Sequence, residues 1–243
     1  YIYMSFARGQ YLISPLNTDG SITSRVKANT AKVFSVVSYK SPNNSSDQTV
    51  GHGLSQAPDM IICKNRDSAY NWDIYHSGTG DVEETLIFTT AATRNVDAFT
   101  TTAPTSTVFG TKNTYTHNGT DDYIAYCFHS VSGYSDFGSY TGTGASGNSV
   151  PLGFEPAFVM IKRSDASGDD WVMVDTTRSP VNPRDDHVTA NSSAAETSGG
   201  NRGFDTSSTG FTINHTVCAY SASGGTSIFM AMADTRDATF FGD

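Results

Sequence analysis

YIAYCFHSVS, residues Tyr123–Ser132, decides how this chain is read, because it occurs three times in altered form. YIYMSFARGQ spans Tyr1–Gln10, and SIFMAMADTR spans Ser227–Arg236. Each begins with a short, nearly continuous apolar run bounded by polar residues. Such runs predict strands at the centre of a sheet, buried on both faces.

Working outward from these runs, a period appears. With Ile124 and Ile228 in register, PDMIICKNRDSAYNWDIYHS (Pro58–Ser77) precedes one copy, and PAFVMIKRSDASGDDWVMVDT (Pro156–Thr176) precedes the other. Lys64 and Lys162 each follow their proline by six positions. The two tryptophans of the chain, Trp72 and Trp171, fall at matching places, 14 and 15 positions on. VSY (Val37–Tyr39) matches GSY (Gly138–Tyr140), Gly53 matches Gly153, and PTSTVF (Pro104–Phe109) matches TSSTGF (Thr206–Phe211). Self-similarity at this spacing is the signature of a repeated unit. We therefore read 1–33 as the closing strand of a preceding repeat plus a connector, 34–134 as a first β repeat and 135–243 as a second. The connector contains SITSRVKA, which we read as a short extended segment of its own. On this reading Tyr1–Ala7 must pair with a sheet, across a domain or subunit boundary. The chain reads as a processed or excised part of a longer polypeptide.

The strand signals are local and consistent. VFSVVSYK, PDMIICK, NWDIYHS, ETLIFTT and DYIAYCF in the first repeat, and AFVMIKR, DWVMVDT, GFTINHT and SIFMAMA in the second, are rich in β-branched and aromatic residues and bounded by polar clusters. No stretch sustains a 3.6-residue apolar period with caps. SSAAET is expected to form one helical turn at most. The fold class is all-β, with two tandem repeats forming β-sandwich or jelly-roll-like units. Each tryptophan is expected to cover one end of a core.

Composition narrows the function. A net charge of −9 argues against a general phosphate-backbone binder, so no nucleic-acid partner is expected. No apolar run reaches the roughly 20 residues of a membrane helix, so no membrane insertion is expected. Cys63, Cys127 and Cys218 lie at no metal-ligand spacing and read as buried thiols, although a Cys63–Cys127 bridge is conceivable. The six histidines are not paired at i, i+2 or i, i+4, and Asp185-Asp186-His187 reads as a solvated loop before it reads as a metal corner. No cofactor and no structural metal are expected, and stability is expected to be indifferent to chelator and reductant. A nucleophile elbow, a P-loop and a His-Glu-x-x-His motif are all missing from the sequence. Glycoside hydrolysis needs two facing carboxyl groups. The four glutamates, Glu83, Glu84, Glu155 and Glu196, offer little, and Asp121-Asp122, Asp169-Asp170 and Asp185-Asp186 suit turns. No catalytic residue is assigned.

The runs SITSRVKANTAKVFSVVSY, TVGHGLSQAPDMIICKNRD, APTSTVF, DDYIAYCFHSVSGYSDFGSYTGTG, LGFEPAFVMIKRSD and WVMVDTTR resemble an uncharacterised repeat domain. That domain occurs in tail-fibre-like and other virion structural proteins, chiefly of marine and cyanobacterial phages. The resemblance covers Tyr1 to about Ala233; the tail TRDATFFGD departs from the family's usual ending. It implies a non-enzymatic virion structural protein, part of a tail fibre, spike or capsid-surface appendage, acting in assembly or host attachment. Its place would be the virion, assembled in the host cytoplasm. Its partners would be other virion subunits, with a homo-oligomer expected. The alternative is a carbohydrate-binding adhesin domain for host surface glycans, with Tyr70, Tyr134, Tyr140 and Tyr220 as candidate glycan contacts near loops. A polysaccharide depolymerase ranks below both.

Overall fold

The computed structural model describes residues 14–29, 33–95, 98–200, 202–216 and 218–234. The segment Tyr1–Ala7 and the tail after Asp234 lie outside the described residues. The chain is all-β. In order, its strands are β1 (Leu16–Asn17), β2 (Ser24–Ala28), β3 (Phe34–Lys40), β4 (Gln48–Gly51), β5 (Met60–Asn65), β6 (Trp72–His76), β7 (Glu84–Ile87), β8 (Arg94–Asn95), β9 (Val108–Thr111), β10 (Asp122–Phe128), β11 (Ser135–Thr141), β12 (Asn148–Pro151), β13 (Pro156–Arg163), β14 (Val172–Asp175), β15 (His187–Thr189), β16 (Phe204–Ser207), β17 (Gly210–Ile213) and β18 (Thr226–Ala233). Among the described residues there is no α-helix, only two single 3-10 turns, Ser77–Thr79 and Ala219–Ser221. No helix is long and apolar enough to cross a membrane. The expected helical turn in SSAAET does not form: Ser192–Glu196 carry no regular structure, and Thr197 bridges His187 instead.

The chain divides into two compact units. Unit 1 comprises Tyr1–Trp72 and Asp97–His129; unit 2 comprises Asp73–Val96 and Ser130–Asp243. In unit 1, β10 lies between β3 and β5, antiparallel to both, and β2 adds to the outer side of β3. The connector segment SITSRVKA thus does form a strand. The ribbon β4–β9 lies against this sheet, with Ser24 Oγ donating to Gly51 O (2.8 Å) and the rings of Tyr39 and Phe109 meeting edge-on at 6.2 Å. The burial alternates along β10: Tyr123, Ala125 and Cys127 point inward, while Ile124, Tyr126 and Phe128 are half-buried on the outward face. That is the period-2 pattern of a strand with one face in the core.

In unit 2, β18 lies between β11 and β13, and β14 and β15 extend the sheet. A second sheet, β12-β17-β16, packs on it as a sandwich. Val150, Phe204, Phe211 and Ile213 from the second sheet meet Val159, Ile161, Val174 and Phe229 from the first in one core. Tight positions are held by glycines: at Gly210, with φ 149°, a Cβ would lie 2.2 Å from Val150 O.

The registers match position by position. Ile124 pairs with Ser38 on one side and Lys64 on the other; Ile228 pairs with Ser139 and Lys162. Val50 faces Phe109 in β4–β9, and Val150 faces Phe211 in β12–β17. The runs IAYCF and IFMAM are central strands, as their continuous apolar character requires.

Candidate functional site

The four tyrosines singled out as glycan contacts have different fates. Tyr70 is 37% exposed in the turn before β6, and its carbonyl accepts from Lys64 Nζ. Tyr134 is half-buried, and burial raises its phenol pKa. Tyr140 and Tyr220 are brought together, but inside unit 2: Tyr140 Oη donates to Tyr220 O (2.9 Å), and its ring sits edge-on to Phe211 at 6.2 Å. Tyr220 is 4% exposed, and its hydroxyl donates to Arg202 O. Burial raises the pKa of both phenols. A ring held this way presents no face to a sugar, so the placement of Tyr220 at a binding surface is corrected. In unit 1 the position matched to Tyr140 is Tyr39, whose Oη donates to Thr116 O (2.6 Å). Thr116 and Tyr220 each stand seven positions before the closing strand run, at Tyr123 and Ser227. The hydrogen bond is a tether between the opening strand and the loop before the closing strand.

A second tether repeats. Lys64 Nζ donates to Tyr70 O and Lys162 Nζ to Asp169 O (2.8 Å), each two residues before a tryptophan. Lys162 is fully buried; desolvation lowers its pKa, offset in part by Asp169 and Asp170. Both lysines are spent on turn carbonyls.

The acidic pairs behave as turn chemistry predicts. Asp121 Oδ2 accepts from Asn65 Nδ2 (2.8 Å) and Ser68 Oγ (2.9 Å), and Asp67 Oδ2 accepts from the Asp122 N–H. Asp170 accepts from Asn191 Nδ2 and pairs with Arg202 at 3.0 Å; the Asn191 hydrogen bond leads the effects that lower its pKa. Asp175 caps the next turn and pairs with Arg178 at 2.6 Å. For Asp175 burial is the largest influence and acts upward, but the Arg178 N–H, guanidinium and charge together outweigh it and hold the pKa low. Arg178 also meets Glu196 (2.9 Å). Buried Arg184 donates to Ser179 O (2.7 Å) and Thr206 Oγ1, with Glu155 at 3.7 Å. Glu155 and Glu196 are therefore each turned toward an arginine of the 175–206 loops. The depression that Arg184 and Asp175 border has about 130 Å³, well short of a pocket that encloses a small ligand.

The histidines are structural in their geometry. His52 Nδ1 accepts from Leu54 N (3.1 Å) while Nε2 faces Thr105 O (3.1 Å), and burial lowers its pKa. His76 Nδ1 accepts from Gly78 N while Nε2 faces Phe229 O (3.1 Å). Both imidazoles are fixed as the neutral Nε2–H tautomer. His187 Nδ1 lies 3.2 Å from Asp185 O. Among the described residues no group of three His, Cys, Asp or Glu side chains could hold a metal ion. The three cysteines are free and buried, and burial raises the Cys127 and Cys218 thiol pKa values.

Reasoning from sequence missed one surface. On the outward face of the unit 1 sheet, the Phe34 and Tyr126 rings lie nearly parallel (8°) with centroids 6.5 Å apart, and Trp72 lies 6.2 Å from Tyr126. The strand parity that puts Tyr123 inside puts Tyr126 outside. That signal was present, but a run apolar at every position hides which face is covered.

No curated protein and no solved structure matches this chain. Residues 12–236 match the family model described as a domain of unknown function, DUF7483, and with nearly its whole length so covered the chain belongs to that family.

Proposed function

We propose that the chain is a non-enzymatic structural module of a phage virion, made of two tandem copies of one β unit. One observation carries this reading. Two units have the same strand order, the same pairing register around Ile124 and Ile228, and the same two side-chain tethers at Tyr39/Tyr140 and Lys64/Lys162. Duplicating the tethers as well as the strands preserves a scaffold, with turns and loops free to vary. The virion context comes from the resemblance to tail-fibre-like proteins. The module would be assembled in the host cytoplasm and join other virion subunits. The test is mass spectrometry of purified particles from the phage that encodes the chain, with immunogold labelling for position. Stoichiometric recovery and surface label support the reading; failure to find the chain in washed particles overturns it.

The adhesin reading keeps one specific observation, the exposed ring of Tyr70 beside Trp72. Reproducible binding on a glycan array, abolished by Tyr70→Ala, would favour it. Release of reducing sugar from host polysaccharide would favour a depolymerase over both.

A further inference from the structure

The outward sheet faces of the two units are built alike and finished differently. In unit 2 this face carries Phe137, Met160, Lys162, Trp171, Ile228 and Met230, each no more than 9% exposed. Residues 73–88, which precede them in the chain, lie over that face. Trp171 Nε1 donates to Ile87 O (2.9 Å), and Phe88 meets the Trp171 ring edge-on at 5.2 Å. His76 stands over Phe137 (6.4 Å) and reaches Phe229 O. Gly78 lies so close to the Gly138 carbonyl that a Cβ there would come within 2.8 Å of it. In unit 1 the register-matched residues are Val36, Ile62, Lys64, Trp72, Ile124 and Tyr126, and every one is half-buried.

We propose that this face of unit 1 is the docking surface for a second copy of the chain, whose residues 172–187 take the place that residues 73–88 hold in unit 2. The inference rests on the two-copy reading above. The occupant follows from that repeat. Residues 73–88 follow Trp72, and residues 172–187 follow Trp171. The segment after one repeat's tryptophan thus covers the next repeat's sheet, and a second chain continues the series. Charge favours the same partner. Arg25 and Lys27 are exposed on β2, opposite Ser38 and Val36 and therefore on this face. Residues 172–187 carry Asp185 and Asp186, which no cation pairs among the described residues. Such a contact is head-to-tail, so it builds a line of subunits instead of a closed pair.

The test is sedimentation velocity of the full chain across a dilution series up to about 100 µM, well above the micromolar range of a modest interface. Self-association that weakens with added salt is expected. Tyr126→Lys should weaken it by about tenfold or more, as loss of a central aromatic anchor does. Should Tyr126→Lys not fold by circular dichroism, the exposed double variant Arg25→Glu/Lys27→Glu asks the same question and should also weaken association. Carbodiimide cross-linking of mixed isotope-labelled and unlabelled chains should join Lys27 of one copy to Asp185 or Asp186 of another. A chain monomeric at that concentration overturns the proposal. So do association that neither variant alters, and cross-links that set two unit 1 faces against each other. Absence from particles would sink the virion reading and leave this association standing. A monomeric chain found in particles would do the reverse.

Discussion

Replacing each tryptophan by phenylalanine asks whether matched positions are matched in energy. Trp171 is 1% exposed, donates its indole N–H to Ile87 O and packs edge-on against Phe88. Trp171→Phe keeps an aromatic ring but opens a gap of ~40 Å³, which at ~24 cal/mol per Å³ costs about 1 kcal/mol. It also removes the indole donor. Ile87 O keeps a second partner, the Thr89 N–H at 2.7 Å, so that loss is about 1 kcal/mol and not the full penalty of an orphaned carbonyl. The sum is about 2 kcal/mol, a large share of a marginal stability. Trp72 is half-buried against Tyr126, so Trp72→Phe should cost less than about 1 kcal/mol. The assay is urea unfolding followed by circular dichroism and by the fluorescence of the remaining tryptophan, which in each variant reports one unit. Separate transitions are fitted separately, since two units need not unfold together. The Trp171 emission should also be the harder of the two to quench with acrylamide. Equal costs within about 0.5 kcal/mol would refute the claim that one face is covered and the other is not.

Acid should destabilise the chain. The pKa values of His52 and His117 are lowered in the fold, chiefly by burial, so the unfolded chain binds more protons below about pH 6.5 and stability falls as pH drops through that range. Melting temperatures between pH 7.5 and 5 should show the fall, and His52→Gln should flatten it; a slope unchanged by that variant contradicts the assignment. Arg184→Met strips donors from Ser179 O and Thr206 Oγ1 and should cost about 2–3 kcal/mol, read as faster protease cleavage between Ser179 and Arg184; unchanged cleavage contradicts it. Gly210→Ala should prevent β12–β17 from pairing, because its Cβ would meet the Val150 carbonyl at 2.2 Å; a soluble variant with the wild-type melting profile contradicts this.

What could be read from the sequence was local. β3, β5, β10, β13, β14 and β18 stand where β-branched and aromatic runs predicted them, because strand preference is set by neighbours along the chain and by the period-2 pattern of the pleat. The polar strands β12, β15 and β16 were not distinguished from their turns, since nothing in NSVP, HVT or FDTS says strand until a partner supplies the ladder. Matched spacing was enough to place Ile124 on Ile228 and Trp72 on Trp171. It could not say that Trp171 is buried while Trp72 is half-exposed, or that Tyr220 lies inside although it sits beside loop residues. Those outcomes depend on what covers each face, and cover comes from residues far along the chain: Ile87 and Phe88 for Trp171, Tyr140 for Tyr220. Local sequence determines which residues can form a strand and which side of it is apolar; only the folded chain determines which of those sides is taken out of water, because burial is a property of the neighbour as much as of the residue.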